Sequence, residues 1–160
     1  MIDDEVKMVA LALIGVMVIT TAYPLLVSHR PIEAFSELAI LGENGRVGDY
    51  PKSVRVGSSF NLLLYVGNYE GRTEYYQVLA KVGDQGSNIA DTTPLIAAPI
   101  ASWDMVLMNN QNKTLPVTLS ISNAGTNRRL VFELHVLDPG SGAFVYHQRW
   151  IQIWLNVTTT

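Results

Sequence analysis

The side chains that carry most acid–base and metal chemistry are few in this sequence and lie far apart. Three histidines and no cysteine occur among 160 residues. His29 follows an apolar segment, whereas His135 and His147 lie in two consecutive predicted strands, where a hairpin around Gly140 would make them neighbours on one face. Two imidazoles without a third ligand make a poor metal site. We therefore predict no metal-binding residues.

The carboxylates and serines form no catalytic motif. Most of the acids occur at predicted turns, where Asp stabilises the local backbone, and Glu133 faces away from the apolar side of its strand. The sequence contains no G-x-S-x-G elbow, phosphate-binding loop, dinucleotide fingerprint or EF-hand. It predicts a protein that is not an enzyme, with no catalytic residues and no cofactor.

The tryptophans are the strongest candidates for a contact surface. Trp150 and Trp154 share one face of the last predicted strand, with Gln152 between them, and Trp103 lies in the less regular segment 84–113. Large aromatics are enriched at protein interfaces, so these three form the candidate interaction surface; a carbohydrate platform would use the same rings. The competing interpretation is that both faces of the last strand are partly buried.

The elements that position these residues begin with an apolar helix. Residues 8–27, MVALALIGVMVITTAYPLLV, contain no charge, and roughly 20 helical residues cross a hydrocarbon core of about 30 Å. Pro24 and Pro31 predict that the helix ends or kinks near them. A cleaved signal peptide and a buried core helix are the alternatives, but the stretch is long for the first and lacks the polar face of the second. Gly15, Thr20 and Thr21 are candidate helix-packing residues.

The orientation of the span follows from what lies beyond it. Charges flanking the span are nearly balanced, but the sequons at Asn112 and Asn156 favour an extracytoplasmic location for the following domain. The expected localisation is the cell membrane, single-pass. The predicted organisation is a cytoplasmic tail, a transmembrane helix, a linker and an extracytoplasmic β-sandwich, at residues 1–7, 8–27, 28–34 and 35–160.

The composition of the domain limits how it can be stabilised and which partners it can bind. No disulfide can stabilise it, because there is no cysteine, but its length allows an adequate core. Residues 31–160 carry nine Lys or Arg against eleven Asp or Glu, a net charge of −2. Nucleic-acid binding requires a basic face, so we predict no nucleic-acid partner.

Period-two alternation of apolar residues predicts strands throughout the domain. Turn-rich segments separate them, and no helical period intervenes, so the pattern indicates an antiparallel β-sandwich. The segment 84–113 is the exception, and we interpret it as an edge strand flanked by long loops. The alternating runs begin at Phe60, Tyr76, Val117, Leu130 and Ile151, with further strands at 35–41 and 54–56.

Residues 35–82 contain a pattern of an aromatic, an acid, a glycine turn, a Tyr-Pro pair, a Val-Gly pair and a final polar turn: Phe35, Glu37, Leu41-Gly42, Gly45, Tyr50-Pro51, Val56-Gly57, Asn68 and Glu70. A basic-hydrophobic strand at 129–136 and an aromatic strand at 146–155 follow. With these features the chain resembles an archaeal membrane-associated family, DUF1616. The resemblance implies an extracytoplasmic Ig-like domain in an archaeon and brings neither an activity nor site residues.

Three roles fit these features. The first is a structural or protein-interaction module of the archaeal cell envelope. The second is an accessory subunit of a larger membrane complex, such as a respiratory, secretion or glycosylation assembly, and the third is a pilin-like filament subunit. The expected partners are the membrane and other envelope or membrane-complex proteins, with a homo-oligomer as a further alternative.

Overall fold

The computed structural model describes residues 3–27 and 33–159, in two compact units, Met1–Glu33 and Ala34–Thr160. The first contains helix α1, Asp4–Val27. The helix includes Pro24 and ends at Val27, between the two prolines near which the sequence predicts an end or a kink. Most of the predicted linker (28–32, with His29, Arg30 and Pro31) and the first two residues of the tail lie outside the described residues.

The stretch Asp4–Pro24 of α1 is long and apolar enough to cross a membrane, and none of it is buried in the structure. A core helix of a soluble protein would be mostly buried, which removes that alternative. A membrane span and a signal sequence both fit the observation.

The second unit consists of eight strands. Three form one sheet in the order β1-β3-β6 and five form another in the order β2-β8-β7-β4-β5. All pairings are antiparallel except that of β2 with β8, which is parallel. The strands are β1 Phe35–Leu41, β2 Ser53–Arg55, β3 Ser59–Tyr69, β4 Glu74–Gly83, β5 Pro99–Leu107, β6 Gln111–Ser120, β7 Gly125–Asp138 and β8 Ala143–Thr158.

The core lies between the two sheets. Alternate residues of each strand point inward, and the alternating runs seen in the sequence supply them, including Leu64, Val78 and Phe132, each fully buried. This arrangement confirms the prediction of an all-β, Ig-like antiparallel sandwich preceded by one apolar helix.

The predicted structure of the segment 84–113, an edge strand flanked by long loops, is only partly correct. β5 is an edge strand, as expected, and a long connection precedes it. The connection that follows it is short, residues 108–110, because Gln111 already begins β6, whose register with β3 pairs Gln111 with Asn68. Asn110 makes this tight passage possible by adopting a positive φ of 63°, which Asn tolerates better than most residues.

Candidate interaction surface

The outer face of the five-stranded sheet, which points away from the core, is covered at its centre by the connection between β4 and β5. We call this connection, residues 84–98, the covering segment. It packs Ile89 and Leu95 onto Val131 of β7, forming a second apolar cluster distinct from the main core. Simple alternation would leave Val131 exposed, but the covering segment buries it completely.

Beneath the covering segment lies a buried ion pair. Glu133 is fully buried, and its Oε2 lies 2.8 Å from Nζ of Lys81 and 3.2 Å from Nε2 of His135. The backbone N–H of Leu95 donates to Oε1 of Glu133 at 2.5 Å, and Lys81 donates to the carbonyl of Leu95 at 2.9 Å. The pair therefore fastens the covering segment to the sheet.

The carboxyl of Glu133 is held in its ionised form. Burial alone would raise its pKa, but the hydrogen bonds from His135, Lys81 and the Leu95 amide outweigh burial, and the pKa lies below its ordinary value. Nearby, burial and the negative charges of Glu133 and Asp91 raise the pKa of Tyr146 to about 12. Both oxygens of Glu133 are paired, Oε1 with the Leu95 amide and Oε2 with Lys81 and His135, so this carboxylate has a structural role.

Beside this cluster, two tryptophans flank an arginine. The guanidinium of Arg129 lies 5.4 Å from the ring centroid of Trp150 and 5.6 Å from that of Trp154. Arg129 also donates to Gln152 and, at 2.7 Å, to the carbonyl of Ser87 in the covering segment. Cation–π contacts of this kind hold aromatic rings rigidly. The sequence identified the two rings but missed the arginine, although its position on the same face follows from period-two alternation.

The three tryptophans do not form one surface. Trp150 is half-buried against the second apolar cluster, and Trp154 is 40% exposed. Trp103 packs against the main core, where its ring stacks on Phe132 at a centroid distance of 6.3 Å. Trp103 therefore lies apart from the other two tryptophans, because its position in β5 points inward while Ile100 and Val106 point outward. Contact of a partner with any of the three tryptophans stays a prediction.

Exposed apolar side chains continue along the same outer face. Val106 of β5 pairs with Tyr75 of β4, and the Tyr75 ring meets Phe144 edge-on at 5.1 Å. Val106 is 61% exposed, and Ile96 at the end of the covering segment is 95% exposed. Trp154 lies at the other end of this face, because it is in register with Arg129 and Gly83, whereas Val106 is in register with Tyr75, eight residues earlier on β4. These residues, on either side of the covering segment, are the candidate interaction surface.

The two strand histidines are not neighbours, contrary to the sequence expectation. A register shift in the β7–β8 pairing places Tyr146 opposite His135 and Arg149 opposite Leu134. His147 falls in this bulge, next to Gln148 with its positive φ of 55°, and belongs to the inner face. In the part of the chain that the structure describes, no three metal-ligating side chains are grouped.

His147 instead joins a second polar cluster, at the ends of β1 and β3. Oγ of Ser36 lies 2.6 Å from Oε1 of Glu70, 2.7 Å from the hydroxyl of Tyr76 and 3.0 Å from Nε2 of His147. The same Glu70 oxygen lies 2.9 Å from the same nitrogen. Although burial opposes it, the hydrogen bonds from Ser36 and His147 hold the pKa of Glu70 below its ordinary value.

This Ser–His–Glu grouping does not have the geometry of a nucleophilic triad. In a triad the serine and the acid bind opposite nitrogens of the imidazole, so that the acid orients the ring while the ring activates the serine. Here both contact Nε2. Ser36 is also only 3% exposed, which leaves no access for a substrate. The cluster ties β1 to β3, β4 and β8.

The sequons lie on the second unit. Asn112, Lys113 and Thr114 are all exposed on β6. Asn156 is exposed in β8, but its side-chain oxygen accepts a hydrogen bond from the backbone of Asn127 at 2.8 Å. Asn112 is therefore the freer of the two, and glycosylation of either residue stays a prediction.

The helix-packing candidates lie on the exposed surface of α1. The hydroxyls of Thr20 and Thr21 donate to the carbonyls of Val16 and Met17, at 2.9 and 2.8 Å, so they are satisfied inside the helix. A Cβ at Gly15 would meet nothing within 4 Å. Packing of another helix at these residues stays a prediction.

The family profile described as "Domain of unknown function (DUF1616)" matches residues 30–155. The chain belongs to the DUF1616 family. The match covers the sandwich almost entirely, as the resemblance had predicted. Among curated proteins, no match was found.

Among solved structures, the DUF1616 sandwich is similar to the CARDB domain of the PF1109 protein from Pyrococcus furiosus, with 13% identity over 78% of this chain and 89% of that one and a TM-score of 0.45. A complex of Zinc 2-glycoprotein and Prolactin inducible protein from human seminal plasma gives 13% identity, 81% and 100% coverage, and a TM-score of 0.48. A β-glucosidase from Listeria innocua gives 12% identity and a TM-score of 0.47 over 78% of this chain but only 16% of the enzyme. None of these similarities bears on a ligand or partner.

The DUF1616 pattern residues hold turns and strand ends. A Cβ at Gly42 would lie 1.9 Å from the carbonyl oxygen of Asp49, so only glycine allows the loop between β1 and β2 to close. Asn68 is fully buried and donates to the carbonyls of Arg72 and Leu107, at 2.8 Å each. Gly42 and Asn68 therefore stabilise a turn and a strand end of the sandwich.

Proposed function

We propose that this DUF1616 protein is a membrane-anchored interaction module of the archaeal cell envelope, with its β-sandwich on the extracytoplasmic side. The observation that carries the proposal is the outer face of the five-stranded sheet. There Trp154, Tyr75, Val106 and Ile96 are exposed on a support that is fixed by a buried ion pair. Exposed aromatic and aliphatic side chains on a rigid base are typical of protein contacts.

The edge of this sheet adds a second means of contact. β5 is an edge strand, so alternate residues present backbone groups without a partner strand. Both edges carry residues that protect against edge pairing, Pro99 and Asp104 on β5 and Lys113 and Pro116 on β6. The least protected part of β5 follows Asp104, where a partner strand would lie directly beside Val106.

Covalent crosslinking tests the surface in its natural setting. A photoreactive side chain placed at Val106 or at Trp154 of the full chain in intact membranes should give defined adducts, identified by mass spectrometry. Val47, which is 79% exposed on a distant loop, is the matched control. Adducts at Val47 equal to those at Val106, or none at all, would contradict the proposal.

The topology is testable without background labelling, because the chain has no cysteine. A single Val47→Cys variant in intact cells should react with a membrane-impermeant maleimide, and the intact mass should retain residues 1–27. Protection of Cys until the cells are lysed would place the sandwich inside. Loss of the first 27 residues would make the helix a signal peptide.

An accessory subunit of a larger membrane complex is the second candidate, favoured by the uncharged residues 8–24 of α1, none of which is buried. Extraction in a mild detergent followed by size and mass analysis distinguishes the roles. Defined partners favour the complex, a polymer favours a pilin-like filament, and a lone monomer argues against both. A species with the mass of two copies of the chain would indicate a homo-oligomer.

A further inference from the structure

Two consecutive arginines of β7 face opposite sides of the sheet. Arg129 points outward and is held between two tryptophans. Arg128 pairs across the sheet with Leu155 and, by strand alternation, shares the inward face with the core residue Leu130. Its side chain therefore enters the end of the sandwich, between the two sheets.

Arg128 lacks the partners that its neighbour has. Its Nε is buried without a hydrogen-bond partner, the only such side-chain atom in the described part of the chain. Within the same residues, none of the ion pairs includes its guanidinium. A buried polar group without a partner is unusual in a folded protein and calls for an explanation such as a missing ligand.

The side chain of Arg128 packs against Gly125. A Cβ at Gly125 would lie 2.8 Å from both Cδ and Nε of Arg128, so a larger residue at this position would displace the arginine from its present place at the end of the sandwich.

The guanidinium lines a cavity of about 250 Å³ at this end of the sandwich. The cavity is small compared with pockets for drug-sized ligands, which have volumes of roughly 300–1,000 Å³. Polar side chains stand at Ser122 and Asn123, and the remaining walls are aliphatic, supplied by Val82, Ala97, Pro99 and Ile121.

We propose that this cavity binds a carboxylate that carries a short aliphatic group. The two terminal nitrogens of the Arg128 guanidinium would hold both carboxylate oxygens, because its Nε is buried and out of reach of a ligand. The aliphatic part would pack against Val82 and Ile121. A phosphate is a poorer match, because one cation and aliphatic walls cannot satisfy its second charge and its additional oxygens. The C-terminal residue of a peptide and a free short-chain acid both have the required chemistry.

Ligand titration of the full chain in the uncharged detergent dodecyl maltoside tests this site. The methyl signals of Ala97 and Ala98, followed by carbon–proton NMR, should shift saturably with isobutyrate. Isobutyramide has the same shape without the charge and should bind at least about tenfold more weakly. Equal binding of the two, or no saturable shift with any probe, would overturn the proposal.

Variants of Arg128 test whether its guanidinium, and not the rest of the cavity, binds the carboxylate. Arg128→Met should abolish the isobutyrate response, and Arg128→Lys should weaken it about tenfold, because an ammonium cannot bind both oxygens in the same plane. Arg129→Met is the matched control and should bind as the unmodified chain does. Unchanged binding by Arg128→Met would refute the assignment, and Arg128→Lys provides a charged variant if the methionine variant does not fold.

A comparison with a peptide distinguishes the two sources of carboxylate, a protein C-terminus and a free short-chain acid. Acetyl-Ala-Val with a free carboxylate is compared with its C-terminal amide and with isobutyrate. Tighter binding of the free peptide than of isobutyrate identifies a protein C-terminus, and equal or weaker binding identifies a small acid. The probes are small molecules, so a negative result leaves the proposed interaction surface unaffected.

Discussion

Glu133 and Arg128 lie five residues apart on β7 and differ in how completely their polar atoms are paired: Glu133 is fully buried, and Arg128 is half-buried with a buried Nε. Glu133 is on the outer face beneath the covering segment, where Lys81, His135 and the Leu95 amide satisfy it. Arg128 is on the inner face at the end of the sandwich, where its Nε has no partner. The partners of Glu133 are complete and stabilise the packing of the covering segment on the sheet. The partners of Arg128 are incomplete, which leaves it able to bind a ligand.

The largest expected loss of stability comes from removing Glu133, the residue whose partners are complete. Glu133→Ala should lower the free energy of unfolding by about 3–5 kcal/mol, because it leaves the Lys81 ammonium buried without its counter-charge. Urea unfolding of the full chain in detergent, followed by tryptophan fluorescence, measures the loss. Asp104→Ala, an exposed carboxylate on β5, is the control, and a similar loss there would refute the special role of Glu133.

A second variant sharpens this prediction. Replacing both partners, Lys81→Met with Glu133→Leu, should recover most of the lost stability, because an apolar pair needs no compensation. The covering segment would still lose its hydrogen bonds at Leu95. If the double variant is less stable than Glu133→Ala, the backbone contacts of Leu95 outweigh the ion pair.

The two outer tryptophans should differ. Trp150→Ala removes a half-buried ring from the second apolar cluster and should cost about 2–3 kcal/mol, less than a fully buried aromatic. Trp154→Ala removes an exposed ring and one cation–π contact, for about 0.5–1 kcal/mol. Denaturation of both variants is the measurement. Equal losses would show that Trp154 is a core residue and unavailable for an interface.

Acid should destabilise the folded chain by protonating the Glu133 carboxylate on the outer face of the sheet. The pKa of Glu133 lies below the ordinary value of 4.5, so the folded state binds this proton less readily than the unfolded chain does. The stabilisation is complete above the ordinary value and is lost as the pH falls through the lower, folded value. Glu70 contributes in the same direction. Unfolding midpoints measured downward from about pH 6 should decline more steeply for the unmodified chain than for Glu133→Gln.

The smallest expected effect belongs to Arg128. Arg128→Met should change the stability by less than about 0.5 kcal/mol, or raise it, since the variant removes an unpaired buried group and keeps an aliphatic stem. Arg129→Met should cost about 1 kcal/mol through its two ring contacts. A larger loss at Arg128 than at Arg129 would reverse the comparison. Thermal unfolding without added carboxylate is the measurement.

Much of the fold was predictable because local patterns suffice for it. The alternation of Leu130, Phe132 and Leu134 predicts which face of β7 is core. The same pattern places Arg129 and Glu133 on the outer face of β7. The histidine pairing was not predictable, because the bulge at His147 shifts the register by two residues, and nothing in the strand composition indicates such a shift.

The sequence by itself determined the apolar helix, the strands and their inward faces, and the family, because these depend on hydrophobic periodicity and short-range turn chemistry. Only the tertiary structure decided that residues 84–98 fold over the sheet, that Trp103 turns inward, and that Glu133 is satisfied while Arg128 is not. Burial and pairing of a charge depend on residues distant in the chain, such as Leu95 for Glu133. No local pattern contains that information.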